Sequence, residues 1–378
     1  MERRNLIGQS EILMSSPLFR VIIATPRGMG GRGGMDRLSD AIKEEAAQYA
    51  ADIDVRVLAT YGPGSRAAMP AFFLRALLEL AKLRASGRID LLHINVAGGA
   101  STYRKAFLAL WARCLGIPYV IHLHGSRFRE TWPTKIPLAR ALSNAFFLKS
   151  ESILVLGKIW GDYLVSGLPA LADKIRILPN ATRSRPLSPD RRDPTAPVHI
   201  AFIGLLGSRK GSLLLIEALS RLDTKVAWKC TIAGNGDVAV HREVVMRLGV
   251  ADRVTLPGWL GPADVDALLD DADMLVLPSF AENLPMVIIE AFAHGVPVVA
   301  TPVGAIAEVI EDGVSGFIVP VGDVAALTAA IQTLVEAPAL RRSMGAAARA
   351  SHAKQFRMEV YIERLVQVWR QGGSPGTS

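Results

Sequence analysis

Glu282 and Glu290 flank the stretch AENLPMVIIEAFAHGVPVVATPVG, residues 281–304, which is otherwise almost wholly apolar. Asn283 and Pro285 near its start read as a helix opening. At about 1.5 Å of rise per residue, eight helical steps cover about 12 Å, of the order of an extended nucleotide sugar. One elongated polar ligand could touch both acids, with a helix mouth between them that favours negative charge. The bland alternative is a core helix with one acid on a wet rim and the other satisfied by backbone.

Other loops carry chemistry of the same kind. In AFIGLLGSRKGS, Gly204 is followed by Arg209 and Lys210, a cationic pair in a loop after a strand that could meet an anionic ligand; a solvated turn is the competing account. It is no Walker loop, because Lys210 precedes Gly211 rather than Ser or Thr. In AGNGD, Gly234, Asn235 and Gly236 follow a strand and could let backbone approach a nucleotide. PRGMGGRGGM holds Arg32, Gly33 and Gly34 and admits a rival class, a dinucleotide-dependent oxidoreductase. That class wants an acid at the end of the second strand, where DVRVLAT has none. VIHLHGSRF ends a strand with His124 aimed at the cleft, while His122 is assigned to the opposite face and read as structural. His93, Asn95 and residues 101–105 could meet an acceptor, and Asn180 shapes a hinge.

The elements that must position these residues are legible as alternation. LFRVIIAT, DVRVLAT, IDLLHINV, PYVIHLHG, SILVLG and KIRILPN are short β-rich runs separated by amphipathic stretches. VHIAFIGLL, WKCTIAGNG, DRVTLPGWL, ADMLVLPSF, VPVVATPVG and SGFIVPVGD repeat the pattern. Continuous Val/Ile/Leu runs with helices between them predict parallel strands covered on both faces. The expectation is an α/β protein of two doubly wound, Rossmann-like domains facing each other across a cleft. Their bounds are read as 1–182 and 198–354, with a Pro/Arg-rich linker at 183–197 and a helical tail at 355–378. Residues 1–13 read as an extension, Met14 being an equally good start.

Composition narrows the classes. Half of the 378 residues are hydrophobic and 21% charged, which excludes disorder. Cys114 and Cys230 lie far apart, which argues against a disulfide framework and for a reducing cytoplasm. The net charge of +8 is uneven: residues 1–180 hold 24 Lys and Arg against 14 Asp and Glu, whereas residues 198–378 hold 15 against 19. A basic first half implies an anionic partner there. Without basic–aromatic interleaving that partner is not nucleic acid. Residues 66–88 set Phe72, Phe73, Leu77 and Leu80 against Arg66, Arg75, Lys82, Arg84 and Arg88, a pattern that fits either an anionic membrane surface or a core-packed helix.

From Ala272 on, ADMLVLPSFAENLPMVIIEAFAHGVPVVATPVGAIAEVIEDGVSGFIVPVGD resembles the donor-binding core of the family 4 retaining glycosyltransferases of bacterial polysaccharide biosynthesis. Glu282 and Glu290 meet that family's Glu, seven residues, Glu signature. The match continues through Gly295, Pro297, Thr301, Gly304, Glu308 and the turn at 312–317. It is dense over the second half and loose over the first. The resemblance implies the GT-B fold, with Glu282 facing the transferred sugar and Glu290 binding the ribose. The amides of Asn283, Leu284 and Met286 then face sugar and diphosphate, with Pro285 in the first helical turn. Lys210 falls on the family lysine. Leu205 stands where relatives have arginine, so Arg209 is expected to supply that charge. His124 aligns with a histidine near the transferred sugar, and Gly33 and Gly34 form the opposite wall.

The implied reaction moves a hexose-type unit from a GDP- or UDP-sugar to a hydroxyl of a glycan or polyprenyl-diphosphate-linked acceptor, with retention. The acceptor attacks from the leaving-group side and loses its proton to a phosphate oxygen. No cofactor and no metal are expected, since no Asp-x-Asp metal motif is read in the chain. The expected setting is cytoplasmic, peripheral on the inner face of the membrane. A nucleotide-sugar epimerase or phosphorylase of the same fold, or a non-catalytic paralogue suggested by Leu205, are the alternatives.

Overall fold

A computed structural model describes residues 18–29, 34–61, 69–126, 128–186 and 196–373. Arg32, Gly33, Arg66, residues 1–13 and most of the expected linker lie outside the described residues.

The first sheet contains β1 (Phe19–Thr25), β2 (Ile53–Ala59), β3 (Leu91–Val96), β4 (Tyr119–Leu123), β5 (Ile153–Val155) and β6 (Ile175–Ile177). The second contains β7 (Val198–Ile203), β8 (Trp228–Ala233), β9 (Val254–Gly258), β10 (Met274–Leu277), β11 (Val298–Ala300) and β12 (Gly316–Ile318). Every one of these pairings is parallel, with Val21, for example, opposite Val55 on one side and Leu91 on the other. The apolar runs are continuous because both faces are covered: every residue of β3 and of β10 is buried. The expected pair of doubly wound sheets is what the chain forms.

The helices of the first half are α1 (Gly34–Tyr49), α2 (Met69–Ala85), α3 (Ala100–Cys114), α4 (Pro137–Leu148) and α5 (Lys158–Gly167). Those of the second are α6 (Ser212–Ser220), α7 (Val238–Arg247), α8 (Pro262–Asp271), α9 (Met286–Ala293), α10 (Val324–Glu336), α11 (Pro338–Ser351) and α12 (Met358–Gly373). The sheets run β2-β1-β3-β4-β5-β6 and β12-β11-β10-β7-β8-β9. In each, the chain winds outward from its first strand and then reverses. Right-handed crossovers therefore put α1 on one face of the first sheet and α2, α3 and α4 on the other. Packing agrees: Leu38 and Ile42 share a core with Val21 and Ile23, whereas Leu80, Leu108 and Phe146 pack with Ile22 and Ala24.

The reversals fall between β1 and β3 and between β7 and β10, and ligands of such sheets bind beyond the strand ends at those points. After α11 a π-helical turn, His352–Phe356, leads the chain back, and α12 docks on the first sheet through Tyr361, Leu365 and Trp369. Thr182, on the outward crossing, bonds the returning strand at both ends, accepting from Met358 N and donating to Phe356 O at 3.0 Å each. The two crossings thus lie side by side.

Candidate active site

At the second switch point the loops after β7 and β10 cross so tightly that only glycine fits. Gly211 has φ +68°, and a Cβ there would lie 2.0 Å from Pro278 O. That crossing brings Lys210 Nζ to 2.7 Å and Arg209 Nη1 to 3.3 Å from Glu282 Oε1, with Ser279 Oγ donating to the same oxygen at 3.4 Å. Phe280 N donates to Arg209 O at 2.8 Å, which holds the two loops in register, and Thr301 Oγ1, just after β11, donates to Ser279 O at 2.5 Å. Glu282 is only 8% exposed, and a carboxylate so withdrawn from water needs such cations beside it.

The helix begins later than the spacing suggests. Pro285 (φ −67°, ψ 132°) caps α9 from outside, so it precedes the first turn rather than lying in it. Glu282 sits in the loop before it, and the eight-step helical estimate of the Glu282–Glu290 separation does not apply. Glu290, on the second turn of α9, faces the first domain, where Arg37 of α1 lies 3.7 Å away. Burial pushes the Glu290 carboxyl above its ordinary range, and Arg37 pulls it back down. A cavity of ≈ 210 Å³ opens beside it, lined by Arg37, Arg185, Asp266, Met286 and His294 among others. Gly34 opens α1 against this region, close enough that a Cβ would stand 3.6 Å from the Met286 side chain.

Three further contacts join the domains at the floor of the cleft. Asn283 Nδ2 donates to Leu123 O at 3.1 Å, and Asn180 Nδ2 donates to Leu284 O at 2.7 Å. The Glu308 carboxylate accepts from Lys158 N at 2.6 Å and Ile159 N at 2.8 Å, neutralising the open amides at the start of α5. Asn283 and Leu284 thus commit a side chain and a carbonyl to the interdomain seam. Arg37 and the partners of Glu308 were missed in the sequence because nothing local marks them.

His124 follows β4 directly, one residue after the carbonyl that Asn283 holds. The assignment of His122 to the opposite face is wrong: residues two apart on a strand share a face, and the two rings stand 4.0 Å apart. His93 joins them, 5.4 Å from His122. Burial pushes His93 down to about 4 and His124 to about 3, and drives His122 lower than usual with help from its two neighbours.

Gly234 and Gly236 have a structural reason of their own. A Cβ at Gly234 would stand 1.7 Å from Gly204 O, and one at Gly236 2.1 Å from Leu206 O, so close approach to the β7 loop already demands glycine. Asn235 lies between them, its carbonyl accepting from Leu206 N at 2.6 Å. Leu205 is 56% exposed, while Arg209 reaches Glu282. Contrary to expectation, the chain does contain Asp-x-Asp tripeptides, at residues 52–54, 264–266 and 271–273. Protein partners take these acids: Arg56 and Arg370 hold the first pair, Asp264 accepts from Gly261 N, Asp266 pairs with Arg185, and Asp271 with His199 and Lys229.

Two family models cover the two halves: "Glycosyl transferase 4-like domain" matches residues 19–181 and "Glycosyl transferases group 1" matches residues 197–337. The chain belongs to the family 4 glycosyltransferases. Alpha-D-kanosaminyltransferase of Streptomyces kanamyceticus is 25% identical to this glycosyltransferase over 74% of the chain and 76% of its own length. The amylovoran biosynthesis glycosyltransferase AmsK of Erwinia amylovora is 29% identical over 59% and 56%. Among solved structures, sucrose-phosphate synthase from Thermosynechococcus elongatus superposes with a TM-score of 0.76 at 18% identity, over 93% of this chain and 98% of its own. Anabaena HepE in complex with UDP-glucose gives 0.72 at 17%, over 93% and 99%. These likenesses establish the GT-B fold.

Proposed function

We propose that this glycosyltransferase moves a hexose-type sugar, with retention and without a metal, from a nucleotide-diphosphate sugar to a hydroxyl of a glycan or lipid-linked acceptor in polysaccharide assembly. The observation that carries this reading is the convergence of Lys210 and Arg209 on Glu282 beside the mouth of α9. As the glycosidic bond breaks, negative charge gathers on the diphosphate. Two held cations and the unbonded amides of a helix start are the groups that stabilise it. Glu290, beside the ≈ 210 Å³ cavity, is the acceptor for ribose hydroxyls. UDP-sugars come first among the donors because HepE binds UDP-glucose, and the AmsK name favours a polysaccharide product.

Thermal scans with UDP- and GDP-sugars, followed by proton NMR of the product formed with an acceptor panel, test it. One nucleotide sugar is expected to raise Tm by mass action. Its turnover should give an axial product from an axial donor and persist in EDTA. Loss of activity in EDTA with recovery in manganese would overturn the metal-free reading, and an inverted product the retaining one.

The outer side of α2, α3 and α4 supports peripheral membrane contact. These helices share one face of the first sheet, and their outer surface exposes Leu74, Leu78, Phe107, Leu110 and Leu138, with Ile136 just before α4. Around them stand exposed Arg75, Lys82, Arg113 and Arg140, and the three helices hold a single acid, Glu79. An apolar ridge with a cationic rim is complementary to an anionic bilayer. Among the described residues no helix is long and apolar enough to cross one. Co-sedimentation with phosphatidylglycerol vesicles but not with phosphatidylcholine vesicles is expected. A Leu74→Ser, Leu78→Ser double variant should lose it, and equal pelleting with both lipids would remove the proposal.

A further inference from the structure

One line of hydrogen bonds starts on the last helix and ends at His124, next to the carbonyl that Asn283 holds across the domains. Trp369 Nε1 of α12 donates to His93 Nδ1 at 2.9 Å. His93 Nε2 lies 3.2 Å from Asn95 Oδ1, and His124 Nε2 lies 3.2 Å from the same oxygen. Asn95 Nδ2 donates to Ser39 Oγ at 3.1 Å, and that hydroxyl donates to Met35 O at 2.8 Å. His93 and Asn95 are buried, at 0% and 3% exposure.

The line has a direction. An indole N–H only donates, so His93 Nδ1 must hold a lone pair. A neutral imidazole has one N–H, which leaves Nε2 as the donor of His93. Whatever faces that Nε2 must accept, so the oxygen of Asn95, not its amide nitrogen, points at the two histidines. His124 meets the same oxygen and must also donate from Nε2, which leaves its Nδ1 as a bare acceptor.

We infer that Trp369 is a positioning residue: through His93 and Asn95 it holds His124 as the Nε2–H tautomer and so offers the cleft an acceptor that selects a hydroxyl-bearing sugar. The identity of that hydroxyl rests on the glycosyltransferase reading; the tautomer does not. Without the indole N–H, His93 can move its proton to Nδ1, Asn95 can turn over, and the hydroxyl of Ser39 can rotate to serve its oxygen. His124 then loses the group that pins its proton.

Long-range proton–nitrogen-15 correlation spectra of the ligand-free full chain read the tautomers directly. Wild type is expected to show His93 and His124 as Nε2–H. Trp369→Phe should bring up the Nδ1–H form of His124 and raise KM for the donor several-fold, with a smaller change in kcat. Ser39→Ala removes a bond of the same line but keeps the indole, so both tautomers should stay as in wild type. An Nδ1–H His124 in wild type, or an unchanged tautomer in folded Trp369→Phe, overturns the inference. If Trp369→Phe does not fold, the wild-type and Ser39→Ala spectra decide it by the same criteria. A chain with the expected tautomers but no sugar transfer would overturn the function and leave the relay standing.

Discussion

Lys210→Ala is expected to lower kcat by about 10²–10³-fold, the cost typical of removing one transition-state charge stabiliser. The far-ultraviolet circular dichroism should stay that of the wild type. Lys210 Nζ is 2.7 Å from Glu282 Oε1 and its side chain is 12% exposed, so little water is at hand to replace it. Arg209 is 39% exposed and 3.3 Å away, and its loss should cost about tenfold on the same reasoning. Glu290→Ala is expected to act differently, raising KM for the donor more than it lowers kcat, because a ribose contact is made in ground and transition states alike. Arg37 gains freedom in that variant, since its ion pair at 3.7 Å is gone. Near-normal kcat in folded Lys210→Ala would remove the assignment of the leaving-group site, whatever happens at Glu290.

The residues behind that prediction differ in how legible they were. Glu282, Glu290 and Lys210 stand in loops and a short helix whose flanking strands are continuous apolar runs. Burial on both faces writes such runs into a sequence whatever the rest of the fold does. Strand order then places the β7 and β10 loops together. The partners across the cleft carry no such signal. Arg37 and Glu290 are separated by most of the chain and Glu308 and the start of α5 by 150 residues, and each pair obeys no local period. The length of α9 was misjudged because apolar Leu284 prolongs the helical pattern, while Pro285 just before Met286 ends it backwards. The structural demand on Gly234 is hidden in the sequence for a related reason. A glycine required by a neighbouring carbonyl and one required by a ligand look the same in one sequence. His122 fell to a misapplied period rather than to missing information.

Those histidines make stability fall as the solution turns acid. His93 is fully buried, and burial holds it at about 4, against 6.5 in an unfolded chain. His122 lies between His93 and His124, neither of its ring nitrogens has a partner of normal geometry, and only the Leu178 backbone favours its charged form. His124 is held at about 3, and Lys105 adds to the push on His93. Among the described residues no carboxylate acts on the three rings. Between pH 6.5 and about 4 the unfolded chain therefore takes up protons that the folded one refuses, and stability drops as pH falls through that window. For His93 alone the loss is about 2 kcal/mol at pH 5 and about 3 kcal/mol below pH 4. With its neighbours included, Tm should fall by on the order of 10 °C from pH 7 to pH 5. Glu290, raised rather than lowered, works the other way and softens the slope near the carboxylate range. His122→Leu keeps an apolar side chain in the site and removes one of the three proton sinks. It should hold Tm at pH 7 and flatten the acid limb, because a buried imidazole with no partner of normal geometry contributes little that leucine lacks. A Tm that stays level from pH 7 to pH 4.5 in the wild type would mean that the three rings are reached by water or charged together in the folded chain. The tautomer relay from Trp369 would then hold only near and above neutral pH, since it requires His93 to be neutral.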